Sequence, residues 1–532
     1  MLHRTFRNIA YYFSFGLFTL FLFSPVILKF CTKSWDANSM TFFRPLLICA
    51  AIVSSCFFVK HRVLSMIVLT IFAFTTICEW VMISNYGSYM DIDLFMAFVT
   101  TNREESTHFV INNLHALWYI IPILLLFIVL CVLYVNATLP ALRVRMIIWV
   151  ICISVAIVGM LPLEKISSMQ HISDIKIALF KNTFTTPPLN IFHLTKITIR
   201  QLHRRQQTNN FTFHSHRTKE SSNKEIYVLA IGESMRYANC SLNGIYTRET
   251  MPKLAQQPNL LFFHDYYASG CTTFTSVPMI ITRATAKDNA LSYQERSVVQ
   301  VFKENGFTTA VVQRGLFAQP SSTYLYQGAD YTRYARTDAE VIQHVEKLSK
   351  EHDKLFVMFQ LRGSHFYYDN FPPKFNTFRP NNIYDKDVVS DSLYINAYDN
   401  TILYTDHLLS AMIDSLKTLQ ATAAVWYVSD HGQTITATQG WHGTVCDEDE
   451  YHVPFFVWYS DMYGNANADM ISCLQNNARA SINSDNIFYT ICGMTHIQLP
   501  DKYAQPTWDI SSDAFAPHPR MLQIGGRVVR LD

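Results

Sequence analysis

The pattern of apolar and polar positions changes twice along the chain. Within the first 165 residues, five long apolar segments lie at about 9–30, 43–59, 64–83, 117–135 and 145–162. A helix needs roughly 20 apolar residues to cross a bilayer, so this half predicts a membrane domain of five transmembrane helices, the second being short. Four further spans follow the first and no small-residue cleavage site does, which argues against a signal peptide. From residue 225 onward the pattern is different. Short runs rich in β-branched and aromatic residues, at 226–231, 259–263, 308–313, 355–361, 422–428 and 455–459, alternate with helical stretches such as 291–304 and 395–419. That alternation predicts an α/β domain over 225–532 with a mostly parallel sheet.

Residues 166–224 belong to neither pattern. Thr185, Thr186, Pro187 and Pro188 break the chain. Ile191, Leu194, Ile197 and Leu202 then alternate with Lys196, Arg200, Arg204 and Arg205, which predicts an amphipathic helix on the lipid headgroups. The polar, aperiodic stretch 206–224 reads as the linker between domains. A second surface helix is expected near 86–112, on Met90, Leu94, Phe95, Phe98 and Val99.

Charge gives the orientation. Arg4 and Arg7, Lys60 and Arg62, and Arg143 and Arg145 occupy one set of short loops, whereas acidic residues dilute the basic ones in the alternate set. The first set is expected to be cytoplasmic. Five spans then put the N-terminus in the cytoplasm and the soluble half outside, in the periplasm for a multi-pass protein of a Gram-negative inner membrane. The net charge of +2 leaves no footprint for nucleic acid. Eleven cysteines include no CxxC spacing, which disfavours a cysteine zinc site, and an odd number leaves at least one thiol unpaired in an oxidising compartment.

The chemistry lies where the short apolar runs stop. The first ends in Gly232-Glu233-Ser234, the second leads into Ser269-Gly270-Cys271-Thr272-Thr273, the 355–361 run ends in Arg362-Gly363-Ser364-His365, and the 422–428 run in Ser429-Asp430-His431-Gly432. Gly440-Trp441-His442-Gly443 follows shortly. Ligands gather at the carboxyl ends of parallel strands, so one sheet edge is loaded with carboxylate, imidazole and hydroxyl. Glu233, Asp430 and His431 suit zinc, or manganese in an oxygen-rich site. They leave one position that a hydroxyl could fill. Thr273 suits it, since a metal-held threonine becomes a nucleophile and the turn is a plausible helix start whose N–H groups favour a phosphoryl group. His365 and His442 could hold phosphate oxygens, a leaving group or a second metal. Sulfatase chemistry is excluded by spacing: it requires Cys or Ser in a C/S-x-P-x-R run, and Cys271 is followed by Thr272-Thr273-Phe274-Thr275.

The set IGESMRYANCSLNGIYTRETMPKL, SGCTTFTSVP, GSH, YDNTILYTD, SDHGQ and WHGT resembles the bacterial phosphoethanolamine transferases, including those that modify lipid A and periplasmic glucans. The likeness runs over essentially the whole chain. It implies an alkaline phosphatase/sulfatase fold with catalytic zinc held by Glu233, Thr273, Asp430 and His431. It further implies Thr273 as nucleophile, His365 and His442 on substrate phosphate or a second zinc, and Thr101 and Glu105 at the donor lipid headgroup. The donor implied is phosphatidylethanolamine, and the acceptor an envelope glycolipid or glycan, foremost lipid A or lipopolysaccharide. Departures concern the details. Ser269 and Met279 stand where lipid A enzymes carry a cysteine pair, Ala97 stands where some members have Asn, and the Asn/Lys pair of the donor pocket has no counterpart around Gln313–Gln319. The rival readings are a phosphoglycerol transferase of the lipoteichoic acid synthase type and a catalytically inactive membrane sensor.

Overall fold

A computed structural model describes residues 2–32, 39–86, 89–90, 95, 117–160, 183, 187–205, 210–314, 328–366, 368–383, 390–436, 440–442, 447–524 and 527–532. Thr101, Glu105, Ala97, most of the surface helix expected near 86–112 and most of 313–319 lie outside these residues. The chain forms two compact units, one from residues up to Arg200 and one that includes Gln201–Asp532.

The first unit contains α1 (Leu2–Thr32), α2 (Ser39–Phe58), α3 (Arg62–Tyr86), α4 (Leu117–Asn136), α5 (Leu142–Met160) and, reaching just past Arg200, α6 (Asn190–Arg205). Among the described residues, four helices are long and apolar enough to cross a membrane: Ile9–Cys31, Arg62–Ser84, Leu117–Asn136 and Leu142–Met160. The short second segment lies in α2, whose described apolar part is Phe43–Phe58. Arg44 of α2 donates to the carbonyl of Gly159 in α5 (Nε–O 3.1 Å). Phe18, Phe57, Phe127 and Tyr134 pack edge-on and tilted inside the bundle. Trp118, Leu125, Ile128 and Val155 face outward, as a lipid-facing surface requires. A buried carboxylate ties this unit together: Glu79 accepts from the Met90 N–H (2.9 Å) and from Asn190 Nδ2 (3.0 Å) at the start of α6.

The second unit is built on seven strands: β1 (Glu225–Gly232), β2 (Leu260–Phe263), β3 (Thr308–Arg314), β4 (Tyr331–Ala335), β5 (Lys354–Gln360), β6 (Thr422–Ser429) and β7 (Phe455–Tyr459). Their order across the sheet is β2-β7-β6-β1-β5-β3-β4. The sheet is mixed. Strands β6, β1, β5, β3 and β4 pair parallel, while β7 runs antiparallel to both β6 and β2. Every residue of β1 is buried, and alternation sends Tyr227, Leu229 and Ile231 to one face and Ile226, Val228 and Ala230 to the other. Helices α7 (Thr273–Ile281) and α10 (Ser484–Met494) cover the first face. Helices α8 (Asp338–Glu351) and α9 (Asp391–Lys417) cover the second. Burial on both faces is why β1 and β6 read as unbroken apolar runs rather than alternating ones.

The stretch expected as a linker contributes to this unit from residue 210 onward. Phe213 is in the core, the N–H groups of Phe213 and Ser215 donate to Glu304, and Arg217 pairs with buried Glu225 at 2.7 Å. Three anchors in a polar run, Phe213, Ser215 and Arg217, are too sparse to register as a periodic element.

Candidate metal and nucleophile centre

Strand β1 stops because the chain must turn under a neighbour. A Cβ at Gly232 would stand 2.2 Å from the Tyr427 hydroxyl, and Ser234 adopts a left-handed conformation (φ +58). A non-glycine residue there is uncommon and marks a constrained turn. The turn presents Glu233 beyond the sheet edge. Strand β6, hydrogen-bonded beside β1 with Gly232 opposite Ser429, delivers Asp430 and His431 to the same place. Thr273 opens α7: the Thr272 side chain caps the helix by accepting from the Thr275 N–H at 3.3 Å, and Ser276 Oγ ties α7 to the Asp430 carbonyl. An N-cap threonine satisfies one orphan donor of the first turn.

Glu233, Asp430 and His431 are buried and form a group in which one ligand atom from each lies within 4.8 Å of the others. His431 Nε2 is 3.2 Å from Glu233 Oε1 and 3.6 Å from Asp430 Oδ2. The Thr273 hydroxyl donates to Glu233 Oε2 at 3.0 Å and lies 3.5 Å from His431 Nε2. Asp430 Oδ1 is occupied, accepting from the N–H groups of Ser234 (3.1 Å) and His431 (2.7 Å). Asp430 Oδ2 is buried with no hydrogen-bond partner among the described residues. An orphaned carboxylate oxygen facing an imidazole nitrogen, a second carboxylate and a hydroxyl is a donor set that fits a zinc ion.

Electrostatics agree. Burial raises the Glu233 carboxyl, but the hydrogen bond to His431 and the charges of His431, His365 and His442 prevail and hold it below the usual carboxylate range. Burial and the Glu233 charge push Asp430 up to about 7. His431 is opposed by burial yet raised to about 9 by the two carboxylates. One imidazole thus balances two packed carboxylates, a burden a divalent cation relieves.

The two further histidines are at hand. The strand pairing of Thr434–Ile435 with Gly440–Trp441 returns the chain so that the His442 ring lies 4.1 Å from that of His431, centre to centre. His442 Nδ1 is buried without a hydrogen-bond partner among the described residues, and burial together with the neighbouring His431 charge holds its pKa well below the ordinary imidazole value. His365 lies 6.3 Å from His442, ring to ring, with Nδ1 2.7 Å from the Phe366 carbonyl oxygen. Gly363 adopts φ +48 with its Cβ position 3.1 Å from the Glu233 carbonyl, so only a bare backbone passes there comfortably.

Gln360 is the site residue that sequence reading missed. It ends β5, in register with Ile231, and its Nε2 donates to Glu233 Oε2 at 3.1 Å, the oxygen that also faces Thr273. Ser234 Oγ holds the other oxygen at 2.9 Å. Partners that orient a ligand typically contribute about 10- to 100-fold to metal affinity. Gln360→Ala should therefore weaken zinc binding by about 10-fold or more, read by chelator competition, with Gln360→Glu failing to restore it because a carboxylate cannot donate.

Residues 225–497 match the sulfatase family. Among curated proteins, the Kdo(2)-lipid A phosphoethanolamine 7''-transferase of Escherichia coli K12 is 29% identical over 300 residues, covering 52% of this chain and 52% of that protein. Phosphoethanolamine transferase EptA of Helicobacter pylori is 28% identical over 304 residues, covering 53% and 56%. The chain spans about half the length of the curated relatives it matches. Among solved structures, the integral membrane lipooligosaccharide phosphoethanolamine transferase A of Neisseria meningitidis superimposes with a TM-score of 0.70 at 17% identity, covering 95% of this chain and 98% of that one. The periplasmic domain of EcEptC from Escherichia coli, in complex with Zn, does so with a TM-score of 0.53 at 21% identity, covering 60% and 95%. At those identities the likeness speaks for the fold: a helical membrane-type region joined to a sulfatase-like α/β domain. With the sheet and the matched residues in agreement, the chain belongs to the sulfatase family.

Proposed function

We propose that this protein transfers phosphoethanolamine from phosphatidylethanolamine to an envelope glycolipid, with lipid A as the foremost acceptor, through a covalent phosphothreonine. The observation that carries the reading is Thr273 Oγ1 at the start of α7, 3.0 Å from Glu233 and 3.5 Å from His431, beside the unpartnered Asp430 oxygen. The names of the curated relatives supply the group transferred and the acceptor class. Glu233, Asp430, His431 and Thr273 would hold zinc, which when bound supplies a positive charge that acidifies the threonine hydroxyl and offsets phosphoryl charge.

The protein's own groups define the two steps. Thr273 Oγ1 bonds to phosphorus as its proton leaves along the hydrogen bond to Glu233 Oε2, and the bond from phosphorus to the glycerol oxygen breaks, that oxygen taking up a proton so that it departs as the hydroxyl of diacylglycerol. His365 and His442 hold the phosphoryl oxygens, with the first N–H groups of α7 directed at the same charge. An acceptor oxygen then bonds to phosphorus and gives up its proton, and the Thr273 oxygen leaves and is reprotonated. The apolar helices fit a lipid donor, which never leaves the bilayer surface. The distribution of Lys and Arg in the short loops supports an inner-membrane protein with this centre on the periplasmic side.

The reading is tested by supplying purified protein with headgroup-labelled phosphatidylethanolamine or phosphatidylglycerol. Label on Thr273 and release of diacylglycerol from phosphatidylethanolamine alone is the expected result. Label from phosphatidylglycerol would transfer the assignment to the phosphoglycerol class, and label from neither would leave a protein without this chemistry.

A further inference from the structure

Beyond the matched residues 225–497, the chain ends in a hairpin of β8 (Met521–Ile524) and β9 (Arg527–Arg530). Its inner strand lies along the turn that delivers Thr273. Gln523 bridges Gly270 in parallel, and its N–H donates to the Ser269 carbonyl at 2.7 Å. Asn289 Nδ2 donates to the Gln523 side-chain oxygen at 3.0 Å, locking the strand in register. Just before Gln523 the strand packs against the residues flanking the nucleophile. Leu522 is buried with Tyr267, Tyr451 and Cys271, two residues before Thr273, and Met521 packs with Met279 of α7, Ala284 and Ala286. The far side of the turn is held by α10, whose Ser484 Oγ accepts from the Ser269 N–H at 3.0 Å. Arg520, just before the hairpin, is anchored to Asp265 (2.6 Å) and to Asp532 (3.1 Å), so the hairpin is fastened at both ends.

We infer that the C-terminal hairpin is a positioning element for the nucleophile, with Leu522 and Gln523 as positioning residues that fix the Ser269–Thr272 turn and so the Thr273 hydroxyl. A buried side chain and a backbone bond brace the turn against α10 from outside the sheet, and no hairpin residue is among the metal ligands. Displacing a reacting atom by about 1 Å can cost on the order of 100-fold in rate. Loosening this brace therefore acts on the rate of bond formation to phosphorus and leaves the metal in place.

The inference rests on Thr273 as the phosphoryl acceptor, and its test separates the two. Full-length Leu522→Ala, Gln523→Ala and Leu522→Met are compared with the parent for rate of phosphothreonine formation from phosphatidylethanolamine, KM, zinc content and Tm. Leu522→Ala is expected to slow adduct formation at least 10-fold and Gln523→Ala about threefold, with KM and zinc content within twofold. Leu522→Met, which keeps the volume, restores the rate. Adduct formation within twofold of the parent in both alanine variants overturns the inference, as does zinc loss in step with rate. Should Leu522→Ala not fold, Gln523→Ala, at a half-buried position, decides alone. No adduct on the parent itself overturns the nucleophile assignment and this inference with it.

Discussion

Replacing Thr273 by Ala should abolish phosphoryl transfer while leaving the protein folded and able to bind zinc. Thr273 is the first residue of α7 and makes no capping bond of its own, since Thr272 accepts from the Thr275 N–H. Alanine at that position keeps the helix and adds no volume. Three of the four candidate ligands stay, so zinc affinity falls but the site survives. The chemistry does not: removing the nucleophile from a covalent mechanism typically costs several orders of magnitude, and a fall of at least about 1,000-fold is expected. Thr273→Ser keeps the hydroxyl and loses the methyl group that limits its rotamers, so it should retain activity within about 10- to 100-fold. Diacylglycerol release from labelled phosphatidylethanolamine, read beside intact protein mass, checks both. An alanine variant that still accumulates modified acceptor would falsify the assignment.

Much of this centre was legible because carboxylate, imidazole and hydroxyl groups follow directly on strands whose apolar runs end abruptly. Glu233, Asp430 and His431 needed only the rule that ligands gather at the carboxyl ends of parallel strands, whichever strands are neighbours. Gln360 was not legible for the opposite reason. Its contact with Glu233 depends on β5 pairing beside β1 with Gln360 opposite Ile231, and strand neighbours cannot be read from one chain. Direction was hidden too: the run FFVWY is buried on both faces and reads the same whether parallel or antiparallel, yet it lies antiparallel between β6 and β2. The edge strand β4 (Tyr331–Ala335) leaves Tyr334 and Arg333 exposed, so it lacked the apolar signature altogether. Thr101 and Glu105 lie outside the described residues and rest on family resemblance.

Glu233→Gln tests the metal site more severely than any other single change. The native carboxylate accepts from Ser234 Oγ (2.9 Å), Thr273 Oγ1 (3.0 Å) and Gln360 Nε2 (3.1 Å) and faces His431 Nε2 (3.2 Å). The amide has the same shape but turns one oxygen into a donor, placing it against either the Ser234 hydroxyl and His431 or the Thr273 hydroxyl and the Gln360 amide. It also removes the negative charge that, with Asp430, holds His431 protonated in the metal-free protein and would pair with zinc in the loaded one. Loss of a ligand should weaken zinc at least about 100-fold, since even orienting partners contribute about 10- to 100-fold. Ligand binding stabilises the folded state by RT ln(1 + [L]/Kd), so at a fixed saturating zinc concentration a 100-fold weaker site forfeits about 2.7 kcal/mol. The measurement is the difference in Tm between zinc-loaded and chelated protein, made on the parent and on Glu233→Gln. A large zinc-dependent rise is expected in the parent and little or none in the variant, with transfer activity lost in parallel. If the variant kept the parent's full zinc-dependent rise, Glu233 would not be a ligand, and the metal would have to be sought around Asp430, His431 and His442 without it.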